Sequence, residues 1–329
     1  MLPRGSIGLL IADECHRCGS EQWSRALGPD FERRLGLTAT YERKDNGVAE
    51  YLDPYFGGLC YTLEYGEALN EDIIASFKVA FIKVALNYSE QMHYEDYSED
   101  VRQARIKLTK QYGVEQEPFG AFMRTVNEMT KSLDQGERWA AKKFLSAFAK
   151  RRDILANCEG KLAALEDVTG AVLKSDRTLL FAQTVSAQEA AVTTLRDRGI
   201  SATAISGKTP SAERSQALRD FECGRLQVLA APRILDEGID VPSADLAVVM
   251  AASQSRIQMV QRMGRVLRQK LDRRLARLAI FCVAETSEDP DMGGHEAFLD
   301  MILPFAHKVE KFKPGQAREL CEFLNDFYL

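Results

Sequence analysis

Hydrophobic positions along this chain fall into three regimes. Ile7 to Ala12 (I-G-L-L-I-A) is a short, mostly aliphatic run that stops abruptly at two acids, the pattern of a buried parallel strand. A second run, Ala75 to Leu86, predicts a strand crossing toward the second half of the chain. Residues 89 to 173 hold few strand formers and many Glu, Lys, Arg, Gln and Ala, with apolar residues at helical spacing, so several helices are expected there. From Arg177 onward the pattern becomes regular. Leu179–Ala182, Ile200–Ile205, Gln227–Ala231, Leu246–Met250 and Leu278–Val283 read as strands separated by helices. Ser186 with Glu189 reads as a capping box opening one helix that Gly199 closes, and Thr209-Pro210 opens another that Gly224 ends. Such alternation argues for an α/β fold in which a parallel sheet is covered on both faces. Residues 286–329, with Phe298, Phe305, Phe323 and Phe327, are expected to form a helical tail packed on that sheet domain.

Composition narrows the class. The 329 residues suit about two domains, and 45% hydrophobic with 28% charged residues is ordinary for a globular chain. No apolar run spans a bilayer and residues 1–30 lack a signal-peptide pattern, so a cytoplasmic location without membrane contact is expected. A formal charge of −5 argues against a protein that coats nucleic acid non-specifically, while leaving room for one local phosphate-binding groove. Seven scattered cysteines fit a reducing compartment. Cys15-His16-Arg17-Cys18 could be half a zinc site, but no second Cys-x-x-Cys follows and Cys60 stands alone, so zinc is not expected.

The candidate chemistry begins where the first strand ends. Adjacent acids at the carboxyl end of a buried strand need a positive counterpart, and hydrated Mg²⁺ carrying nucleotide phosphates is the usual one. Asp13 would then hold the metal's water shell, and Glu14 would orient or deprotonate an attacking water. Ser206-Gly207-Lys208-Thr209 is not a phosphate loop, because the pattern requires glycine where Ala202 stands. In the helical stretch, Trp139, Phe144 and Phe148 mix with Lys142, Lys143, Lys150, Arg151 and Arg152. An aromatic core face beside a solvated basic face is the favoured reading there, with nucleic-acid contact as the alternative.

Four segments in order carry a resemblance. Asp13-Glu14-Cys15-His16 resembles motif II of superfamily 2 helicases, and Leu37-Thr38-Ala39-Thr40 resembles motif III. Asp236-Glu237-Gly238-Ile239-Asp240-Val241-Pro242 resembles motif V, and Gln261-Arg262-Met263-Gly264-Arg265-Val266-Leu267-Arg268 fits motif VI, Q-x-x-G-R-x-x-R. The likeness is nearest to the XPB-like branch of DNA helicases and covers about residues 5 to 284. It departs at Tyr41, where many relatives have proline. The resemblance implies two RecA-like domains with ATP and Mg²⁺ between them and movement along DNA, single-stranded or duplex, or along RNA. It also implies roles: His16 beside the catalytic acids, Thr38 and Thr40 in coupling, Gln261 beside the phosphates. Arg265 and Arg268 would be fingers meeting charge on the transferred phosphoryl, Gly238 would let the backbone approach the nucleotide, and Asp240 would touch the ribose.

The expected division is 1–65 as the carboxyl part of a first RecA-like domain and 66–173 as crossover and helical insertion. A complete second domain over 174–285 and the tail follow. No G-x-x-x-x-G-K-[S/T] occurs in the sequence, so the first domain is expected to be partial. An upstream segment or a second polypeptide would complete it, and the chain alone is expected to be inactive. The competing reading from another class is a non-catalytic nucleic-acid-binding or regulatory module, against which the retained acids and arginines speak. A DNA-repair motor and a phage-defence motor share the same engine.

Overall fold

The computed structural model describes residues 8–39, 41, 43, 45–231, 244–250, 266–270, 272–292 and 302–327. The chain divides into two units, Met1–Glu67 and Ala68–Leu329.

In the first unit, β1 (Leu9–Ala12) pairs in parallel with β2 (Arg33–Gly36). A 3₁₀ turn (Cys15–Gly19) and a short helix α1 (Glu21–Ser24) connect them, the latter capped by the Ser20 hydroxyl, which accepts the Trp23 N–H. A π turn (Val48–Leu52) runs into α2 (Asp53–Phe56), which ends at the left-handed Gly57. The expectation of a buried β1 is not met. Leu9 is 54% and Ile11 57% exposed, because among the described residues of this unit β1 has one partner strand and no cover across that face. Leu35 and Leu37 are exposed as well.

The second unit is built on a seven-stranded sheet in the order β5-β6-β4-β7-β8-β3-β9, with every pairing parallel. After α3 (Tyr65–Asn70), which spans the division, come β3 (Phe77–Val84) and helices α4 (Tyr88–Tyr112), α5 (Phe119–Met129), α6 (Gln135–Ala156) and α7 (Glu159–Leu173). The alternating part follows as β4 (Thr178–Phe181), α8 (Val185–Asp197), β5 (Ala202–Ala204), α9 (Ser211–Glu222), β6 (Val228–Ala230), β7 (Leu246–Val249) and β8 (Ala276–Val283). Last are β9 (Lys308–Phe312) and α10 (Ala317–Asn325).

This sheet reaches beyond the 174–285 span on both sides. β3 is no separate crossover: it lies between β8 and β9, and its polar members are neutralised locally. The Lys78 ammonium sits 3.5 Å from Asp326, and the Lys83 ammonium 2.7 Å from Asp289. The tail is not wholly helical either, since β9 forms the sheet's edge and α10 returns Leu320, Phe323 and Leu324 to the core. That core also takes Leu165, Val168, Ala171 and Val172 from α7, so α7 belongs to the sheet layer.

Helices α4 to α6 keep a core of their own, with Val101, Leu108, Phe122, Val126, Ala140 and Phe144 packed together. α4 is held at its start by Asn87, whose side chain accepts the Glu90 N–H at 2.9 Å while Glu90 accepts the Asn87 N–H at 2.9 Å. This reciprocal box is the one expected at Ser186 and Glu189. There, Thr184 caps instead: its extended backbone turns its hydroxyl onto the Ala187 N–H, and Ser186 inside the first turn donates to Asn157. Phe144 is buried, whereas Trp139 is 57% exposed with the Lys107 and Lys143 ammonium groups 5.0 and 5.8 Å from its ring. Among the described residues no helix is long and apolar enough to cross a membrane.

Candidate functional site

The two acids stand where β1 runs out. Asp13 is exposed and its Oδ1 accepts the Glu14 N–H at 2.9 Å. Glu14 takes a left-handed conformation, φ 50° and ψ 43°, which costs a side-chain-bearing residue about 1 kcal/mol and turns the strand sharply into the 3₁₀ turn. That turn puts His16 beside both Glu14 and the strand-end segment after β2. His16 Nδ1 lies 3.2 Å from Glu14 Oε2 and 2.9 Å from Thr38 Oγ1. The hydrogen bond of Nδ1 runs to the Thr38 hydroxyl, which donates or accepts according to the imidazole tautomer, while Glu14 stands at ion-pair distance. Burial pushes the imidazole below its ordinary titration range, against the pull of Glu14 and with help from Arg17 and Arg43, so it is neutral near pH 7.

Backbone bonds hold the two segments in register. Leu37 N–H donates to the Ala12 carbonyl at 2.8 Å and Cys15 N–H to the Leu37 carbonyl at 2.9 Å. A third support is one that sequence reasoning missed. Arg43 donates to the His16 carbonyl, and its fork is held by Asp45 at 2.7 and 2.6 Å. Asp45 in turn lies below the usual carboxylate range, at about 2, chiefly through that bond. Gly19 and Gly47 make the close approach possible: a Cβ at Gly47 would fall 1.8 Å from the Gly19 carbonyl oxygen. The only signal in the sequence was an Arg and an Asp two apart, which does not reveal a carbonyl partner 27 residues back.

In the second unit, Arg268 is exposed and follows the buried Val266 and Leu267. It is anchored through its backbone, which forms an antiparallel bridge with Ile74, while Leu267 accepts the Ala75 N–H at 2.6 Å. Gln261, Arg265, Gly238, Asp240 and Thr40 lie outside the described residues. The structure therefore brings together Asp13, Glu14, His16 and Thr38 in the first unit, and fixes the backbone of Arg268 in the second. Behind Arg268, Lys270 is pushed down to about 8, mainly by burial. Arg277 and Asp245 form an ion pair with both side chains fully buried.

Among the described residues no group of three or more His, Cys, Asp or Glu could hold a metal ion. One exposed carboxylate at a strand end suits a cation that keeps most of its waters and arrives with phosphates, and does not suit an all-protein cage.

Residues 160–270 match the family described as Helicase conserved C-terminal domain. The chain is 30% identical over 265 residues to DNA 3'-5' translocase XPB2 of Sulfurisphaera tokodaii, covering 80% of this chain and 56% of that protein. A Rad25-named protein of Haloarcula marismortui is 28% identical over 288 residues, covering 86% of this chain and 36% of the relative. The chain thus spans about half or less of these relatives. Among solved structures, Saccharomyces cerevisiae Dbp5 bound to RNA and ADP BeF3 aligns with a TM-score of 0.56 at 13% identity, covering 97% of this chain and 63% of Dbp5. The Pyrococcus furiosus Hef helicase domain aligns at 0.50 and 17% identity, covering 87% and 73%. Those two likenesses show the RecA-like α/β fold, and the family match together with the sequence relatives supports a superfamily 2 helicase chain of the XPB-like type.

Proposed function

We propose that this chain supplies the hydrolytic acids and the arginine half of an ATP-driven DNA translocase. The observation that carries the reading is His16, which stands within hydrogen-bond distance of Thr38 and beside Glu14. A change at the phosphates is thereby felt at the segment after β2. Asp13 would hold the water shell of Mg²⁺, and bound Mg²⁺ neutralises charge on the phosphates. Glu14 orients and deprotonates the attacking water, with the His16 imidazole 3.2 Å from its carboxylate. Arg265 and Arg268 meet charge on the equatorial oxygens, with Gln261 beside them, while Gly238 and Asp240 receive the nucleotide's backbone-facing side and ribose. DNA as the track rests on the translocase relative.

The sequence holds no G-x-x-x-x-G-K-[S/T]. A phosphate-gripping loop supplied by a further segment or a second polypeptide would find an apolar seat on the exposed Leu9, Ile11, Leu35 and Leu37. The test is ATP hydrolysis, with and without single-stranded and duplex DNA, by the 329-residue chain alone and joined to a polypeptide bearing such a loop. Turnover only in the joined form, stimulated by DNA and abolished by Glu14→Gln, is the expected result. Unchanged turnover in Glu14→Gln refutes the assignment of the acids. No turnover in either form, together with salt-sensitive DNA binding, favours the non-catalytic module.

A further inference from the structure

The Cys-x-x-Cys of the first unit is absorbed neither by a metal site nor by the phosphate chemistry. Cys15 and Cys18 sit in the 3₁₀ turn Cys15–Gly19, whose pitch is fixed by Arg17 N–H donating to the Glu14 carbonyl and Ser20 N–H to the Arg17 carbonyl. Three residues of such a turn advance about 6 Å and bring side chains i and i+3 onto one line. Disulfides bridge Cα atoms about 4.4 to 6.8 Å apart.

We propose that Cys15 and Cys18 form a reversible disulfide that unseats the turn carrying Glu14 and His16. In the reduced form Cys15 is 2% exposed and its sulfur fills the notch at Gly36, where an added Cβ would lie 2.9 Å from Sγ. To bond Cys18, that sulfur must leave the notch. Cys15 N–H is bound to the Leu37 carbonyl, and the intervening His16 is held by Thr38 and Arg43, so the displacement is passed to those contacts. The oxidant is a small disulfide such as oxidised glutathione. Cys18, the more exposed thiol, loses its proton and attacks one glutathione sulfur, breaking that S–S bond and releasing one glutathione thiolate. Cys15 then loses its proton and attacks Cys18 Sγ, breaking the mixed disulfide and releasing the second. Two thiols are oxidised and one glutathione disulfide is reduced. The thiolate is the attacking form, so the exchange speeds up as pH rises.

The disulfide does not depend on the nucleotide reading; only an effect on turnover rests on it. The full chain is equilibrated with glutathione buffers, quenched with acid and digested with trypsin without reduction. Cleavage after Arg17 separates the two cysteines, so the bond appears as Gly5–Arg17 joined to Cys18–Arg25, and dithiothreitol releases them. Oxidation also moves the His16 imidazole resonances in wild type and leaves them in place in Cys18→Ser. Absence of the joined peptides in excess oxidised glutathione overturns the proposal, as does a joined species with unmoved His16 signals. In the loop-bearing form, a bond that moves His16 yet spares ATP turnover counts against the nucleotide assignment of this turn and not against the pair.

Discussion

Removing one partner of the Arg277–Asp245 pair should be the most damaging single change in the second unit. Both side chains are fully buried. The guanidinium of Arg277 donates to Asp245 and, at 3.3 Å, to the Leu324 carbonyl, and lies 4.5 Å from the Phe327 ring. Asp245 also accepts the Arg177 N–H at 3.0 Å, so the pair ties the starts of β4, β7 and β8 to the end of α10. Burial already lowers the proton affinity of Arg277, which Asp245 offsets. Asp245→Ala strands the cation, at a cost of about 3 to 5 kcal/mol, and Arg277→Leu strands the anion at a similar cost. The double variant carries no uncompensated charge and should recover about half of the summed loss, a coupling of about 3 to 5 kcal/mol. Urea unfolding of the full chain, followed by far-UV circular dichroism, reads this as midpoint shifts of roughly 1 to 2 M for each single variant. Single losses under about 1 kcal/mol, or a double variant equal to the sum of the singles, would refute the reasoning.

Lys270 offers a pH-dependent counterpart. Its proton affinity is held at about 8 against 10.5 for the free side chain, so the unfolded state binds more protons between these values. Stability therefore carries the full penalty below pH 8 and gains on the order of 1 to 3 kcal/mol as pH rises through 10.5. Lys270→Met should flatten that slope in a pH series of urea midpoints; an unchanged slope argues against a buried ammonium. In the first unit, nuclear magnetic resonance titration should find His16 below the ordinary histidine range, and Glu14→Gln should lower it further, since Glu14 favours the charged ring. A rise in Glu14→Gln contradicts the contact. Gly47→Ala forces a Cβ to 1.8 Å from the Gly19 oxygen, so the first unit should lose about 1 to 3 kcal/mol, read as faster amide exchange over residues 15–19. Exchange as slow as wild type would show that the segments can part without cost.

Legibility followed the range of the interactions. Strands β4 to β8 were readable because each is a short apolar run between turn residues, and the place of Asp13-Glu14 at a strand end because two acids directly follow an aliphatic run. The membership of β3 was not, since its partner Ala276 lies about 200 residues beyond Phe77 and no local pattern encodes pairing at that distance. β9 was hidden by composition: Lys308, Glu310 and Lys311 look like a solvated segment, yet an edge strand tolerates them. The exposure of β1 was unreadable for a different reason, because aliphatic residues state that a cover is wanted and not what it is. Arg43 was missed because a backbone carbonyl leaves no trace in side-chain identity.

The pairing of β3 with β8 and β9 sets a schedule for biosynthesis. β3 leaves the ribosome ahead of both its partners: the first neighbour emerges about 200 residues later and the second later still. At roughly 5 to 20 residues per second, the strand waits on the order of 10 to 40 seconds with both edges open. Helices α4 to α6 can form their own core meanwhile, so the nascent chain presents a folded helical bundle next to an unpaired apolar strand. A ribosome stalled anywhere between β3 and β8 would therefore display the segment Phe77–Val84 for edge-to-edge association, which makes it the natural binding stretch for a holding chaperone during synthesis.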